Sequence, residues 1–193
     1  MSKHLTEYNL VFIQVAIIKR FLLWIILVMA GPSHLFAVDL TTEEKVKASY
    51  IFNFIRFVKW PVQKITSDTS FNVCAFARND NFIQAFRPVI GRKINDRAIA
   101  LHRLDTTEKI AHCHLLYLGE ARLSRHHEFL YQAGQQGILT VSDIHQFCQL
   151  GGIIGMVTRD GKVRIEINLS KAQEFGFHIS SNLLEVSTLV SDS

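Results

Sequence analysis

The sequence predicts an α/β fold, a single three-layer domain with a mostly parallel central sheet and a C-terminal antiparallel hairpin. Three observations predict it. After Pro61 short apolar runs alternate with amphipathic ones, the pattern left by strands joined through helices. Near the C-terminus Asp160-Gly161 separates two alternating segments, and Asp-Gly suits the tight turn of a hairpin. Ahead of both lies EEKVKASYIFNFIRFVKWP, Glu43 to Pro61, whose apolar residues recur at helical spacing.

In that first helix Val46, Tyr50, Ile51, Phe54, Ile55 and Val58 recur at steps of three and four and share one face, the expected core face. Phe52 and Phe57 widen the apolar surface, while Lys45, Lys47, Arg56 and Lys59 keep the other sides wet or snorkelling. An ordinary buried helix accounts for most of this pattern. The alternative is a second aromatic face that meets another chain, and Tyr50, Phe54 and Phe57 are its expected dimer face. Thr41 or Thr42 caps the start, Glu43 and Glu44 suit the first turn, and Trp60-Pro61 ends the helix.

Phe71 to Ala77 then reads as a strand, Asn79 to Val89 as a helix ended by Gly91, and Ala98 to Leu104 as a second strand. A short helix at Thr106 to Ala111 leads to the strand His114 to Leu118. A helix over Arg122 to Ala133 is followed by the strand Ile138 to Val141, with Gly134 and Gly137 bracketing the turn. Ser142 and Asp143 cap a helix from Ile144 to Leu150. The hairpin pairs Ile153 to Thr158 with Val163 to Leu169. Val163, Ile165, Ile167 and Leu169 face one way and Arg164, Glu166 and Asn168 the other. That polar face, beside Ile154 and Met156, is a candidate recognition surface or a plain solvent face. Ser170 caps a helix to about Phe175, and an amphipathic segment, Ser181 to Val190, closes the chain.

Upstream, Lys19 and Arg20 precede an apolar run from Phe21 to Ala30, then Gly31-Pro32 and a small residue at Ala37, the layout of a secretory signal peptide. The expected organisation is a cleaved signal over residues 1–37 and one domain over residues 38–193, with an uncleaved anchor as the alternative. No lipobox cysteine follows the run. Cleavage leaves about 156 residues, enough for one core. The formal charge of +4 falls to about +2, too little to argue for nucleic acid.

Three cysteines, Cys74, Cys113 and Cys148, then lie in an oxidising compartment, where thiols pair. Cys74 and Cys113 both adjoin core strands and are the expected disulfide; three free buried thiols are the alternative. In the chain-entropy model, closing a loop of about 40 residues stabilises the fold by roughly 4 kcal/mol.

Catalytic constellations are mostly absent: the chain has no GxSxG, HExxH, CxxC or calcium loop. Gly151-Gly152-Ile-Ile-Gly155 precedes a strand, so no helix N-terminus stands ready for a phosphate. In an extended segment His112 and His114 point away from Cys113, so the three do not close on one ion, and His126-His127 cannot chelate together. No metal and no cofactor is expected. His178, Arg56 and Trp60 are weak candidates for a small-ligand pocket.

In order, KASYIFNFIRFVKWP at Lys47 to Pro61, GRKINDRAIA at Gly91 to Ala100, CHLLYLG at Cys113 to Gly119, ILTVSD at Ile138 to Asp143, GGIIGMV at Gly151 to Val157 and GKVRIEINLSKAQEFGFHISSNLL at Gly161 to Leu184 resemble the YfiR family. The resemblance implies a small, usually dimeric, non-enzymatic periplasmic α/β protein. It implies a regulator that binds the periplasmic domain of an inner-membrane diguanylate cyclase and inhibits cyclic di-GMP synthesis and biofilm formation. It also implies that an outer-membrane OmpA-like lipoprotein titrates the regulator away. Cys74 and Cys113 match the family's disulfide pair. Cys148 matches one member of a second pair whose partner falls near Gly155, where this chain has no thiol. The expected partner contacts are Ile154, Met156, Arg164, Glu166 and Asn168. A periplasmic small-molecule binding module is the competing reading.

Overall fold

Period-two alternation in the central strands divides the apolar residues between two cores, one on each face of a single sheet. The computed structural model describes residues 42–65, 70–76, 80–104, 110–119 and 126–191, without the side chains of residues 63, 65 and 126–129. All of them fall in one compact unit, Asp39–Ser193. The predicted signal peptide and most of the predicted helix at residues 106–111 lie outside the described residues.

The described chain starts with α1 (Thr42–Phe57), β1 (Val58–Lys59), α2 (Val62–Ile65) and β2 (Ser70–Phe76). Next come α3 (Asn81–Phe86), a 3-10 turn at Arg87–Val89, β3 (Lys93–Ile94), β4 (Arg97–Arg103) and β5 (Leu115–Leu118). α4 (His126–Gln135), β6 (Leu139–Ser142), β7 (Ile154–Arg159) and β8 (Lys162–Asn168) follow. The chain closes with α5 (Leu169–Glu174), β9 (His178–Ile179), α6 (Ser181–Glu185) and β10 (Ser187–Val190).

The eight-stranded sheet runs β3-β4-β2-β5-β6-β7-β8-β10. Pairing is parallel except at the two hairpins, β3/β4 and β7/β8. The chain leaves β2 for β4 on one side, then crosses back to β5 on the other, which is the reversal of a doubly wound sheet. Along β2 and β5, Val73, Ala75, Leu115 and Tyr117 enter the larger core under α1 and α3, while Cys74, Leu116 and Leu118 enter the smaller core under α4. The predicted three-layer α/β architecture is therefore the observed one.

Several local expectations change. α1 stops at Phe57 because Val58 and Lys59 pair with β9, and the Phe57 carbonyl accepts from Ser180 N at 2.9 Å. Its buried face carries Lys47, Ala48, Ile51, Phe54 and Ile55, with Val46 and Tyr50 only half-buried. Residues 144–150 form turns rather than a helix, with Gln146 at φ 58° interrupting the helical path. The cap of α5 is Asn168, whose Oδ1 accepts from Lys171 N at 2.9 Å, not Ser170. The last segment is not one element: α6 gives way to β10, which joins the sheet edge beside β8.

Candidate functional site

The β7–β8 hairpin carries the predicted recognition surface. A two-residue turn at Asp160-Gly161, both with positive φ (52° and 69°), pairs Arg159 with Lys162. That register sets Ile154 opposite Ile167 and Met156 opposite Ile165. Opposed residues share a face, so Ile154 and Met156 lie in the core with those isoleucines, both at 0% exposure.

Arg164, Glu166 and Asn168 point the other way, and two of the three are buried as well. Glu166 is 5% exposed and its Oε1 accepts from Arg159 Nη2 at 2.7 Å. Asn168 caps α5 and donates from Nδ2 to the Cys148 carbonyl at 3.0 Å. Only Arg164 of the five is exposed. The expectation of one exposed five-residue face is thus corrected: the register splits the set between two faces, and packing covers four members. What the hairpin does present is its outer end, where Thr158, Arg159, Asp160, Lys162 and Arg164 are exposed.

The expected dimer face on α1 is also divided. Phe54 is fully buried, whereas Tyr50 and Phe57 are half-buried at the margin of the same core. Tyr50 stacks on Phe54 at 6.3 Å, so the outer ring rests on the inner one. The Arg92 guanidinium lies 4.4 Å from the centre of the Phe52 ring, and that of Arg56 lies 5.8 Å from Phe57. Cations therefore cover aromatic faces that the sequence pattern left open.

Where α1 begins, a polar knot ties it to the sheet. Lys47 Nζ, 6% exposed, lies 2.7 Å from Asp143 Oδ2 and 2.8 Å from Glu43 Oε1, with Glu44 at 3.9 Å. Tyr117 donates its hydroxyl to Asp143 Oδ2 at 3.0 Å, and Thr158 donates to Glu43 Oε1 at 2.7 Å. Burial is the largest influence on Lys47 and favours its neutral form, but hydrogen bonds to Asp143 and Glu43 outweigh it and raise its pKa. Hydrogen bonds from Lys47 and Thr158 hold the Glu43 carboxyl below the usual carboxylate range. This knot joins α1, β5, the end of β6 and the end of β7. The burial of Lys47 was not legible in the helical pattern, because Asp143 is distant in the chain.

On the opposite face Cys74 of β2 and Cys113 form the predicted disulfide, with Cα atoms 5.7 Å apart. Residues 111 and 112 are a turn, so strand alternation does not govern His112. His112 Nε2 lies 3.7 Å from Cys74 Sγ, and the His102 ring meets that of His112 edge-on at 5.0 Å. His102 is also the register partner of Cys74, and its Nε2 lies 3.2 Å from Asn72 Oδ1. Burial, then the neighbouring His112, holds His102 below the usual imidazole pKa. His114 goes inward instead, stacked on Phe71 at 4.8 Å with its Nδ1 accepting from Asn72 N. Trp60 donates from Nε1 to the His114 carbonyl, and His178 of β9 and Arg56 of α1 are both exposed.

Cys148 is free and buried, its thiol facing the carbonyls of Ile153 and Glu166 at 3.7 and 3.5 Å. Burial, then Glu166, pushes its pKa up to about 12, so the thiol stays protonated. A Cβ on Gly155 would stand 3.3 Å from this sulfur. The space of a second bridge is thus present without the second thiol.

Among the described residues no helix is long and apolar enough to cross a membrane. Residues 44–188 match the family model described as YfiR/HmsC-like. No curated protein matches the chain. Among solved structures, a conserved domain protein from Vibrio cholerae O1 biovar eltor str. N16961 is similar at a TM-score of 0.53 and 11% identity, covering 76% of this chain and 59% of that one. The ABC domain in complex with L-Trp from Streptococcus pneumonia has a TM-score of 0.45 and 11% identity, covering 63% of this chain and 55% of that one. The chain thus spans under two thirds of either structure's length, and the Vibrio likeness concerns the fold alone.

Proposed function

The chain belongs to the YfiR/HmsC-like family, and from that premise we propose that it binds the periplasmic domain of an inner-membrane diguanylate cyclase and inhibits it. Lower cyclic di-GMP and less biofilm are the consequences. YfiR-like proteins are periplasmic and regulatory rather than catalytic, and they act on the periplasmic domain of a membrane diguanylate cyclase. The observation that carries the reading is the extent of the match: residues 44–188 run from the first turn of α1 into β10 and take in every layer of the fold.

Inhibition of this kind requires no chemistry. A protein that binds the inactive state of a sensor more tightly than the active state shifts the population by that difference in affinity. The contact surface we assign is the exposed end of the β7–β8 hairpin, centred on Arg164. Glu166 contributes from below by holding Arg159, Asn168 by fixing the start of α5, and Ile154 and Met156 by anchoring the hairpin in the core. Homodimerisation uses the α1 margin, with Tyr50 and Phe57 at the contact and Phe54 supporting them. An OmpA-like outer-membrane lipoprotein that competes for the same surface would release the cyclase.

The test is deletion of the gene followed by measurement of cellular cyclic di-GMP, together with binding of the purified protein to the cyclase's periplasmic domain. A rise in cyclic di-GMP and saturable binding are expected. No rise while a cyclase with such a domain is expressed would sink the reading.

A further inference from the structure

We propose that, with the Cys74–Cys113 disulfide reduced, the two sulfurs, His112 and His102 bind one divalent cation of zinc type. The donor atoms of Cys74, His112 and Cys113 all lie within 4.8 Å of one another. Zinc bonds of about 2.3 Å to sulfur and about 2.0 Å to nitrogen, at a tetrahedral angle, place sulfur and nitrogen roughly 3.5 Å apart. The separation of Cys74 Sγ and His112 Nε2 is 3.7 Å. The imidazole nitrogen therefore already faces the sulfur at the spacing two ligands of one ion adopt.

The fourth donor we assign is His102. It is held opposite Cys74 by the β2/β4 register, with its ring against that of His112. To ligate through Nε2 it gives up the contact with Asn72 Oδ1. Two cysteines and two histidines are the ligand set of a closed, structural zinc site. Two thiolates balance the charge of the ion, and the sulfurs are buried while His112 is exposed, so the ion enters from the solvent side.

The same two sulfurs cannot serve both states. Loading the reduced site displaces one proton from each thiol to solvent. Oxidation of the loaded site by a disulfide-bearing oxidant transfers two electrons to that oxidant, forms the Cys74–Cys113 bond, frees the cation and leaves two thiolates of the oxidant to take protons from water. Metal and oxidant thus compete for one pair of side chains, independently of whether the hairpin binds a cyclase.

The experiment uses the full-length protein with Cys148→Ala, so that two thiols remain, reduced with a water-soluble phosphine and titrated with Co2+. One equivalent should give a sulfur-to-cobalt charge-transfer band and the strong visible bands of tetrahedral cobalt, which Zn2+ then abolishes. The oxidised protein should give neither. His112→Ala and His102→Ala should each lower the affinity at least tenfold. Circular dichroism on the same samples separates folding from ligation: a reduced chain that loses structure should regain it on adding metal, because binding and folding are linked. Absence of the charge-transfer band in the reduced protein, folded or not, or unchanged affinity in either histidine variant, overturns the assignment.

Discussion

The face of the sheet beneath α1 buries Ile51, Phe54, Phe71, Phe82, Phe86 and Phe177, whereas among the described residues the face beneath α4 gathers a smaller set around Leu116, Leu118, Leu130 and Phe147. The aromatic face is held by area and by interlocking rings, such as Phe82 on Tyr117 at 3.9 Å and Trp60 edge-on to Phe71 at 4.9 Å. The other face adds a covalent link between β2 and the segment entering β5. A cross-link acts differently from packing, since it stabilises by restraining the unfolded chain. The faces differ in chemistry as well: His102 and His112 cluster with the cross-link, whereas rings line the other face.

Truncating the centre of the aromatic face should have the largest effect. Phe54→Ala leaves a cavity in fully buried surroundings and should lower the unfolding free energy by about 4 kcal/mol, read from the shift of the urea midpoint. Removing the cross-link should come next. The 39-residue separation sets a chain-entropy ceiling of about 4 kcal/mol, and cross-links of this kind commonly deliver about 2–4, so Cys74→Ala with Cys113→Ala should cost about 3. If the double variant proved costlier than Phe54→Ala, the order of the two faces would be reversed.

The polar knot on the aromatic face gives a third, smaller effect. Lys47→Met leaves Glu43, Glu44 and Asp143 without their shared cation. Breaking a buried pair costs about 3–5 kcal/mol, and partial exposure of the carboxylates reduces this to about 2. The pH dependence has two limbs. Lys47 has a raised pKa when folded, so its contribution is full below the unfolded lysine value of about 10.4 and is lost as pH rises through the folded value. Glu43 has a lowered one, so its contribution is present above about 4.3 and is lost as pH falls through the folded value. Denaturation midpoints of the two proteins should therefore differ most between about pH 5 and pH 10 and converge outside that range. A constant difference from pH 3 to pH 11 would mean that Lys47 acts through its hydrocarbon stem alone.

Much of this contrast was written in local signals. Asp160-Gly161 specified a turn that only positive φ satisfies, and the apolar flanks of Cys74 and Cys113 placed both sulfurs against core strands. What escaped depended on register or on distant partners. Asn95 and Asp96, with φ of 48° and 65°, turn β3 into β4 without a glycine, so that short hairpin had a weak signature. Ile144, Phe147 and Cys148 have helical spacing, yet the turns around Gln146 follow the strands they pack on. Lys47 is buried because Asp143, 96 residues away, comes to it. The hairpin faces were recoverable in part: a two-residue turn pairs Arg159 with Lys162, which already sets Ile154 opposite Ile167.

The smallest effect on stability should fall where neither face reaches, at the outer end of the hairpin, and there the effect on function should be greatest. Arg164 is exposed, and the ion pair below it runs between Arg159 and Glu166. Arg164→Glu should change the unfolding free energy by less than about 0.5 kcal/mol, as surface substitutions ordinarily do. In the same protein the charge presented to a partner is reversed, and a like-charge contact at an interface weakens association. Binding to the cyclase's periplasmic domain should fall at least tenfold, with cellular cyclic di-GMP rising toward the deletion level. A matched variant at exposed Glu185, Glu185→Lys, should leave both unchanged. If Arg164→Glu bound as the native protein does, the contact surface would lie elsewhere, and the half-buried rings of Tyr50 and Phe57 on α1 would be the next place to substitute.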